Sequence, residues 1–188
     1  MVEGRLLRQV NVATGTVSTL NLPTGTESSE EQIASTYSNF QGVAVDAAGA
    51  IYVADDGGAV IRKYSPTGVM SILAGEVRKR YFADGSRAIA HFTGLAGIAV
   101  NAAGLVYIVD PYKHVLREIS STGSVRTIAG VFDRMGHTDG IGAMATFAIP
   151  RGVAADATGT LYVADEFNDS IRKVTPKGAV TTLAGGPN

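Results

Sequence analysis

A unit of 55 residues recurs three times in this 188-residue chain, with no insertion or deletion between copies. Gly42, Gly97 and Gly152 open the copies, and Tyr52, Tyr107 and Tyr162 come next. Asp55, Asp110 and Asp165 follow, then Arg62, Arg117 and Arg172, then Gly75, Gly130 and Gly185. A strict repeat constrains the fold more than any single motif. A unit this short cannot bury its apolar face alone, so each copy must pack on the next and extend one core. This overrides the prior of one or two ordinary domains that the length suggests.

Within the first copy, Gly42-Val43-Ala44-Val45 is a short apolar run that ends in the turn cluster Asp46-Ala47-Ala48-Gly49. Ile51-Tyr52-Val53-Ala54 is a second run, rich in the β-branched and aromatic residues that strands favour. A loop at Asp55–Gly58 leads to Ile61-Arg62-Lys63-Tyr64. Ser65-Pro66-Thr67-Gly68 turns the chain, because Pro presets φ and Gly permits a positive one. Val69–Leu73 is the fourth run. Four short strands joined by tight turns predict an antiparallel meander of the kind that forms one propeller blade. The first two strands, apolar on both faces, are expected to be buried on both sides, and the third, with Arg62 and Lys63, to lie nearer solvent. The small residues Ala44, Ala99 and Ala154 suit a crowded place near a central axis.

The fold class expected is therefore all-β, with full blades at 40–75, 95–130 and 150–185. Residues 5–22 match only the two outer strands of a blade and form a leading half-blade. Between blades runs a connection with its own pattern: Asp84-Gly85, then Ala88, Ala90 and Phe92, and again Asp139-Gly140, then Ala143, Ala145 and Phe147. Ahead of the first full copy, Ser28–Ile33 lacks Asp-Gly, but Tyr37 keeps the aromatic slot. The Ala and Phe residues are read as packing the connection onto the blade. Propellers close with about four to eight blades. The chain is thus expected to be part of a longer propeller, or to complete one by self-association.

The repeated motifs resemble the NHL-repeat family of β-propellers. The resemblance rests on Gly-[Val/Ile]-Ala-Val-Asp-x-x-Gly, Tyr-Val-Ala-Asp and Ile-Arg-Lys-Val, and on Asp-Gly-x-x-Ala-x-Ala-x-Phe-x-x-Pro-x-Gly from Asp139 to Gly152. It spans nearly all of residues 5–185 and implies a propeller that is often six-bladed. The family often carries Asn-His after the second strand. Asn168 keeps the Asn and His114 the His, while Gly58 and Ala59 depart at both positions.

Composition narrows the function. A formal net charge of −1 gives no electrostatic reason to expect nucleic acid or an anionic membrane, and no apolar run approaches a membrane span. Cysteine is absent, which excludes disulfide and thiolate chemistry. The compartment stays open, with a bacterial extracytoplasmic location favoured. No nucleophile motif, phosphate loop or metal-ligand spacing appears, so no catalytic residue, metal or cofactor is assigned.

Asp55/Arg62, Asp110/Arg117 and Asp165/Arg172 are expected to pair across the hairpin of second and third strands, as architecture, since an active site is rarely needed three times. His91, His114 and His137 fall on loops that emerge on one face, with Asp84 and Asp139. That composition suits a metal or an acid–base site, although exposed loop histidines are the plainer reading. Arg78-Lys79-Arg80 is the one basic cluster, with Tyr81, Phe82 and Arg87 nearby. Asp46, Asn101 and Asp156 end the first strands and are read as turn residues. The candidate binding residues are Arg78, Lys79, Arg80, Asp84, His91, His114, His137, Asp139 and Asn168. The favoured expectation is a binding or scaffold module that engages a protein or a glycan through the inter-blade loops. The alternative is a propeller enzyme of lyase or lactonase type, as in propellers related to the family, with a metal or His site near the central axis that requires an assembled ring.

Overall fold

The computed structural model describes residues 2–3, 6–20 and 38–186. The expectations for Ser28–Ile33, Tyr37, and the ends of the 5–22 unit at 5, 21 and 22 lie outside the described residues.

Each full repeat forms a four-stranded antiparallel meander in chain order. The first blade is β4 (Phe40–Val45), β5 (Ile51–Asp55), β6 (Val60–Tyr64) and β7 (Met70–Ala74). The second is β8 (Ile98–Val100), β9 (Val106–Asp110), β10 (Val115–Ile119) and β11 (Val125–Gly130). The third is β13 (Pro150–Ala155), β14 (Leu161–Asp165), β15 (Ser170–Val174) and β16 (Ala179–Gly185). The connection before this blade adds β12 (Gly140–Ile141) to its outer edge, Gly140 facing Val180. The same edge of the second blade is met by Gly85, which exchanges both backbone hydrogen bonds with Val125. Covering an outer strand in this way removes a row of unpaired backbone groups.

The leading unit is larger than its sequence suggests. β2 (Leu6–Val10) and β3 (Val17–Thr19) are the expected outer strands, Arg8 facing Thr19. A further short strand, β1 (Val2–Glu3), pairs with β2 on the inner side, so the unit has three strands rather than two.

The core lies between blades rather than inside them. Tyr52, Ala54, Ile61 and Leu73 of the first blade pack on Ile98, Val106 and Ile108 of the second. One repeat later, Tyr107, Val109 and Leu116 pack on Leu161 and Val163. Ala90 and Phe92 fill the first junction and Ala145 and Phe147 the second, all four fully buried. Leu7 joins Phe40, Val53, Tyr64 and Met70 in the same way at the leading junction.

Two burial expectations fail. β6 and β10 are as buried as their neighbours, and the residues expected nearer solvent, Arg62 and Arg117, are sealed in. Conversely, while β8 is largely buried, the first strands of the first and third blades, β4 and β13, are only partly covered, with Val45 59% exposed. They border the inner side of the arc, where no further layer covers them among the described residues.

The opening glycines mark where inner strands converge. A Cβ at Gly97 would lie 2.6 Å from the Arg151 carbonyl oxygen and 2.8 Å from the Gly152 Cα. Gly152 has no such neighbour, only the Ala164 Cβ at 3.3 Å. Gly97→Ala is therefore expected to cost about 1–3 kcal/mol through overpacking, and Gly152→Ala distinctly less, in urea unfolding of the same chain. Phe147→Ala should cost about 3–5 kcal/mol, the range for emptying a packed aromatic site.

Candidate functional site

The residues that recur in every copy build one device. The Asp that ends the second strand accepts backbone hydrogens from two directions. Asp55 Oδ1 takes the amides of Asn39 at 2.8 Å and Gly58 at 3.1 Å. Asp165 Oδ1 takes the Ala148 amide at 2.7 Å, and its Oδ2 takes the Asn168 side chain at 2.7 Å. The carboxylate thereby ties the incoming connection to the loop between second and third strands.

The Arg seven residues later lies under the connection. Arg62 pairs with Asp55 at 2.7 Å and donates to Ser38 Oγ at 2.7 Å. Arg172 pairs with Asp165 at 2.9 Å and with Asp139 at 2.7 Å, and donates to the Thr146 carbonyl at 3.0 Å. Each guanidinium also stacks near an aromatic ring: Arg62 over Phe40, Arg117 over Phe82 and Phe92, Arg172 over Phe147. The Asp55–Arg62 and Asp165–Arg172 pairs, expected across the hairpin as architecture, are wholly buried.

The second blade differs. Arg117 bonds Asp84 at 2.7 Å and the His91 carbonyl at 2.7 Å, with no direct bond to Asp110. Asp110 is held by the amides of Thr93, Gly94, Tyr112 and Lys113 instead. Burial pushes the Asp110 carboxyl above its ordinary range, against the pull of those amides and of the Arg117 charge. Burial likewise pushes the Arg117 guanidinium below its ordinary value.

Asp84 and Asp139 belong to the same device. Each lies within the connection and caps a bulge in the outer strand. Asp84 Oδ2 accepts the Thr127 amide at 2.7 Å, and Asp139 Oδ2 accepts the Thr182 amide at 3.1 Å. The register slips by one residue at these points, between Leu116 and Arg117 and between Ile171 and Arg172. Against its burial, the Thr182 amide and then Arg172 hold the Asp139 carboxyl below its usual range.

The other candidates scatter. His91 is 2% exposed, contrary to the plain reading of a solvated loop histidine. Its Nδ1 lies 2.6 Å from the Ile89 carbonyl and its Nε2 3.2 Å from Glu76, and its ring stacks on Tyr81. Lys79 and His91 together hold the Glu76 carboxyl below its usual range. His114 Nδ1 accepts the Ile149 amide at 3.2 Å across the second junction. His137 Nε2 is buried without a hydrogen bond, beside Gly186. Among the described residues no three His, Cys, Asp or Glu side chains are placed to hold a metal ion.

Arg80 donates to Asp56 at 3.1 Å and to the Thr93 carbonyl at 3.0 Å, so it staples the connection to a loop. Lys79 pairs with Glu76 at 2.6 Å, and Arg78 is exposed at a positive φ of 62°. Asn168 donates to the Gly136 carbonyl at 2.8 Å as well as to Asp165, so the Asn singled out by the family resemblance braces a loop. Asp46 and Asp156 each accept amides two and four residues on and a tyrosine hydroxyl, which is the turn role expected.

Two exposed aromatics escaped the sequence reading. Tyr112 and Phe167 are 62% and 64% exposed on the loops after the second strands, in the slot that Gly57 fills in the first blade. Comparing that one slot across the copies is the signal that finds them.

Removing Asp165 should strand a buried guanidinium, so Asp165→Ala is expected to cost about 3–5 kcal/mol in urea unfolding. Asp139→Ala, at a half-exposed carboxylate, should cost about 1 kcal/mol. His114 gives a pH signature. Desolvation pushes its imidazole below the ordinary value of 6.5, with Asp133 pulling the other way. The unfolded ring then binds a proton more readily than the folded one, so this contribution is full above about pH 6.5 and is lost as pH falls through the lower folded value. The gap in urea midpoint between the native chain and His114→Gln should move against the native chain between about pH 7 and pH 5.

No family model matches the chain, and no curated protein matches it by sequence. Solved structures do. A structural-genomics protein of unknown function from Bacteroides thetaiotaomicron shares 25% identity at a TM-score of 0.72, over 95% of this chain and 43% of that one. An auxiliary nutrient binding protein from the same organism shares 19% at 0.66, over 96% and 44%. A streptogramin B lyase shares 13% at 0.61, over 95% and 47%. The chain spans less than half the length of each of these structures. Their likeness agrees with the meanders and junctions above: the chain is an arc of β-propeller blades.

Proposed function

We propose that this chain is part of an NHL-type propeller that acts as a binding module, engaging a protein or a glycan through the face that carries the inter-blade connections. The observation that carries this reading is the contrast between copies on that face. The buried Asp and Arg are the same in every blade, while the exposed slots vary. Gly57, Tyr112 and Phe167 share one slot, Arg78 and Asp133 a second, and Arg80 and Met135 a third. Variable loops on a constant frame are where recognition residues concentrate. Tyr112 and Phe167 supply rigid aromatic area at low entropic cost, which suits a sugar ring or an apolar anchor of a protein.

In an array of oligosaccharides and a panel of extracellular protein fractions, a ligand retained by the native chain should be lost at least tenfold by Tyr112→Ala/Phe167→Ala. Thermal unfolding of that variant should be unchanged. Equal retention by the variant overturns the assignment.

A second element of the proposal concerns the third blade. Ile171 and Leu183 hold the places of Ile61 and Leu73, yet are 39% and 56% exposed where those two are buried. We assign this face to another blade, from the remainder of a longer propeller or from a second copy. Two copies come close to the length of one similar structure, of which each chain covers 43–47%. Light scattering should report a dimer of the isolated chain that Leu183→Glu dissociates. A monomer at all concentrations overturns the second-copy form.

A further inference from the structure

Where the outer strand of the first blade meets the second blade, two adjoining clefts of about 340 Å³ each share Ile72 and Arg87. The first is walled by Lys63, Ser65 and Ser71 on one blade, Ser121 and Thr122 on the next, and Arg87 from the connection. Two cations and four hydroxyls line it, with no carboxylate in its wall. Glu76 lines the second cleft and is engaged by Lys79 and His91.

Arg87 differs from the buried, paired arginines Arg62, Arg117 and Arg172. Its stem lies against Gly123, where a Cβ would come within 3.0 Å of it. Its guanidinium has no hydrogen bond or ion pair among the described residues. Lys63 lies over the Tyr52 ring at 5.2 Å. Its charge is partly spent on Asp46: against a burial penalty, the Ala50 amide, the Tyr52 hydroxyl and, last, Lys63 hold that carboxyl below its usual range. Arg87 is thus the cation left for a ligand.

The second junction is a control within the molecule. Its equivalent positions carry Glu118 for Lys63, Ser120 for Ser65, Arg126 for Ser71, Pro176 for Ser121, Lys177 for Thr122 and Gly142 for Arg87. There Glu118 and Arg126 neutralise each other at 2.8 Å, and the Gly142 amide closes the junction on the Gly178 carbonyl at 2.9 Å. The blade frame is the same, so it does not itself demand an arginine on the connection at this place.

We propose that this cleft binds a sugar bearing a tetrahedral oxyanion ester, sulfate or phosphate. Arg87 receives the ester, because its planar fork matches two oxyanion oxygens at once. Lys63 adds a point charge, and the serine and threonine hydroxyls exchange hydrogen bonds with the sugar hydroxyls. A cleft of this size falls in the range of small-ligand sites and leaves room beyond a bare oxyanion. It lies at the outer strand, between the third-to-fourth turns, and so on a different surface from the loop face proposed for the module.

Calorimetry on the full chain should test it with N-acetylglucosamine 6-sulfate, glucose 6-phosphate, plain N-acetylglucosamine and inorganic sulfate. At least one ester is expected to bind, and the plain sugar and inorganic sulfate at least tenfold more weakly. Arg87→Gly and Lys63→Glu import residues that the second junction already tolerates. Each should weaken the ester at least tenfold with unchanged thermal unfolding, and Arg87→Lys should restore part of the loss. Absence of binding by both esters, or full affinity in Arg87→Gly, overturns the site. Inorganic sulfate as tight as the esters overturns the sugar. So does displacement of the ester by single-stranded RNA whose own binding depends on Arg87.

Discussion

Each blade is held to the next by one buried arginine. Taking a guanidinium out of water costs several kcal/mol, and only a full set of acceptors and good geometry offset it. Arg172 comes close to that set: it meets two carboxylates, two backbone carbonyls and the face of Phe147, and its Nε alone lacks a partner. Those partners come from two parts of the chain: the hairpin of the arginine itself, and the connection that precedes the blade, whose Asp139 also caps the outer-strand bulge. The same cation therefore fixes the path of the connection, the seat of the junction phenylalanine and the slip of the outer strand. Arg62 and Arg117 repeat the arrangement with changed partners, which tells how much the device tolerates. In the second blade the guanidinium turns to Asp84 and two backbone carbonyls, and Asp110 is held by amide donors.

Much of the fold was legible because its determinants are local. Turn signals such as Ser65-Pro66-Thr67-Gly68 and the β-branched, aromatic run around Tyr52 locate the strands, and the repeat multiplies the evidence. Phe92 and Phe147 declared themselves as packing residues by recurring with small Ala residues two positions before. Burial was less legible. Arg62-Lys63 beside Tyr64 looks like a wet strand, because sequence cannot show that a connection folds back to supply acceptors from more than twenty residues away. The strand β1 was missed for a related reason: two residues carry no periodicity.

The candidate site was hardest to read, and the reason is again physical. Asp84, Asp139, Asn168, Arg80 and His91 have the chemistry of ligand-binding groups, and the protein spends that chemistry on its own backbone. A loop-rich face needs many internal hydrogen bonds to hold its shape, and polar side chains at turns supply them. The side chains left pointing outward, such as Tyr112 and Phe167, have little motif value of their own. They stand out only against the other copies, where glycine or a different residue type fills the same slot.

The reach of the arginine device has a consequence for how such a chain comes into being and folds. From Arg172 the bonds extend back 26, 33 and 34 residues, and from Asp139 forward 43. All of these spans are shorter than one period. Duplicating a single unit in the gene therefore copies donor and acceptor together, and a new unit arrives with its fastening already in place. On the ribosome, each blade gains its complete set of polar contacts once its own outer strand emerges, without waiting for the far end of the chain. Order then spreads stepwise from neighbour to neighbour, the behaviour of a one-dimensional array. Ring closure, wherever it occurs, comes as a separate event.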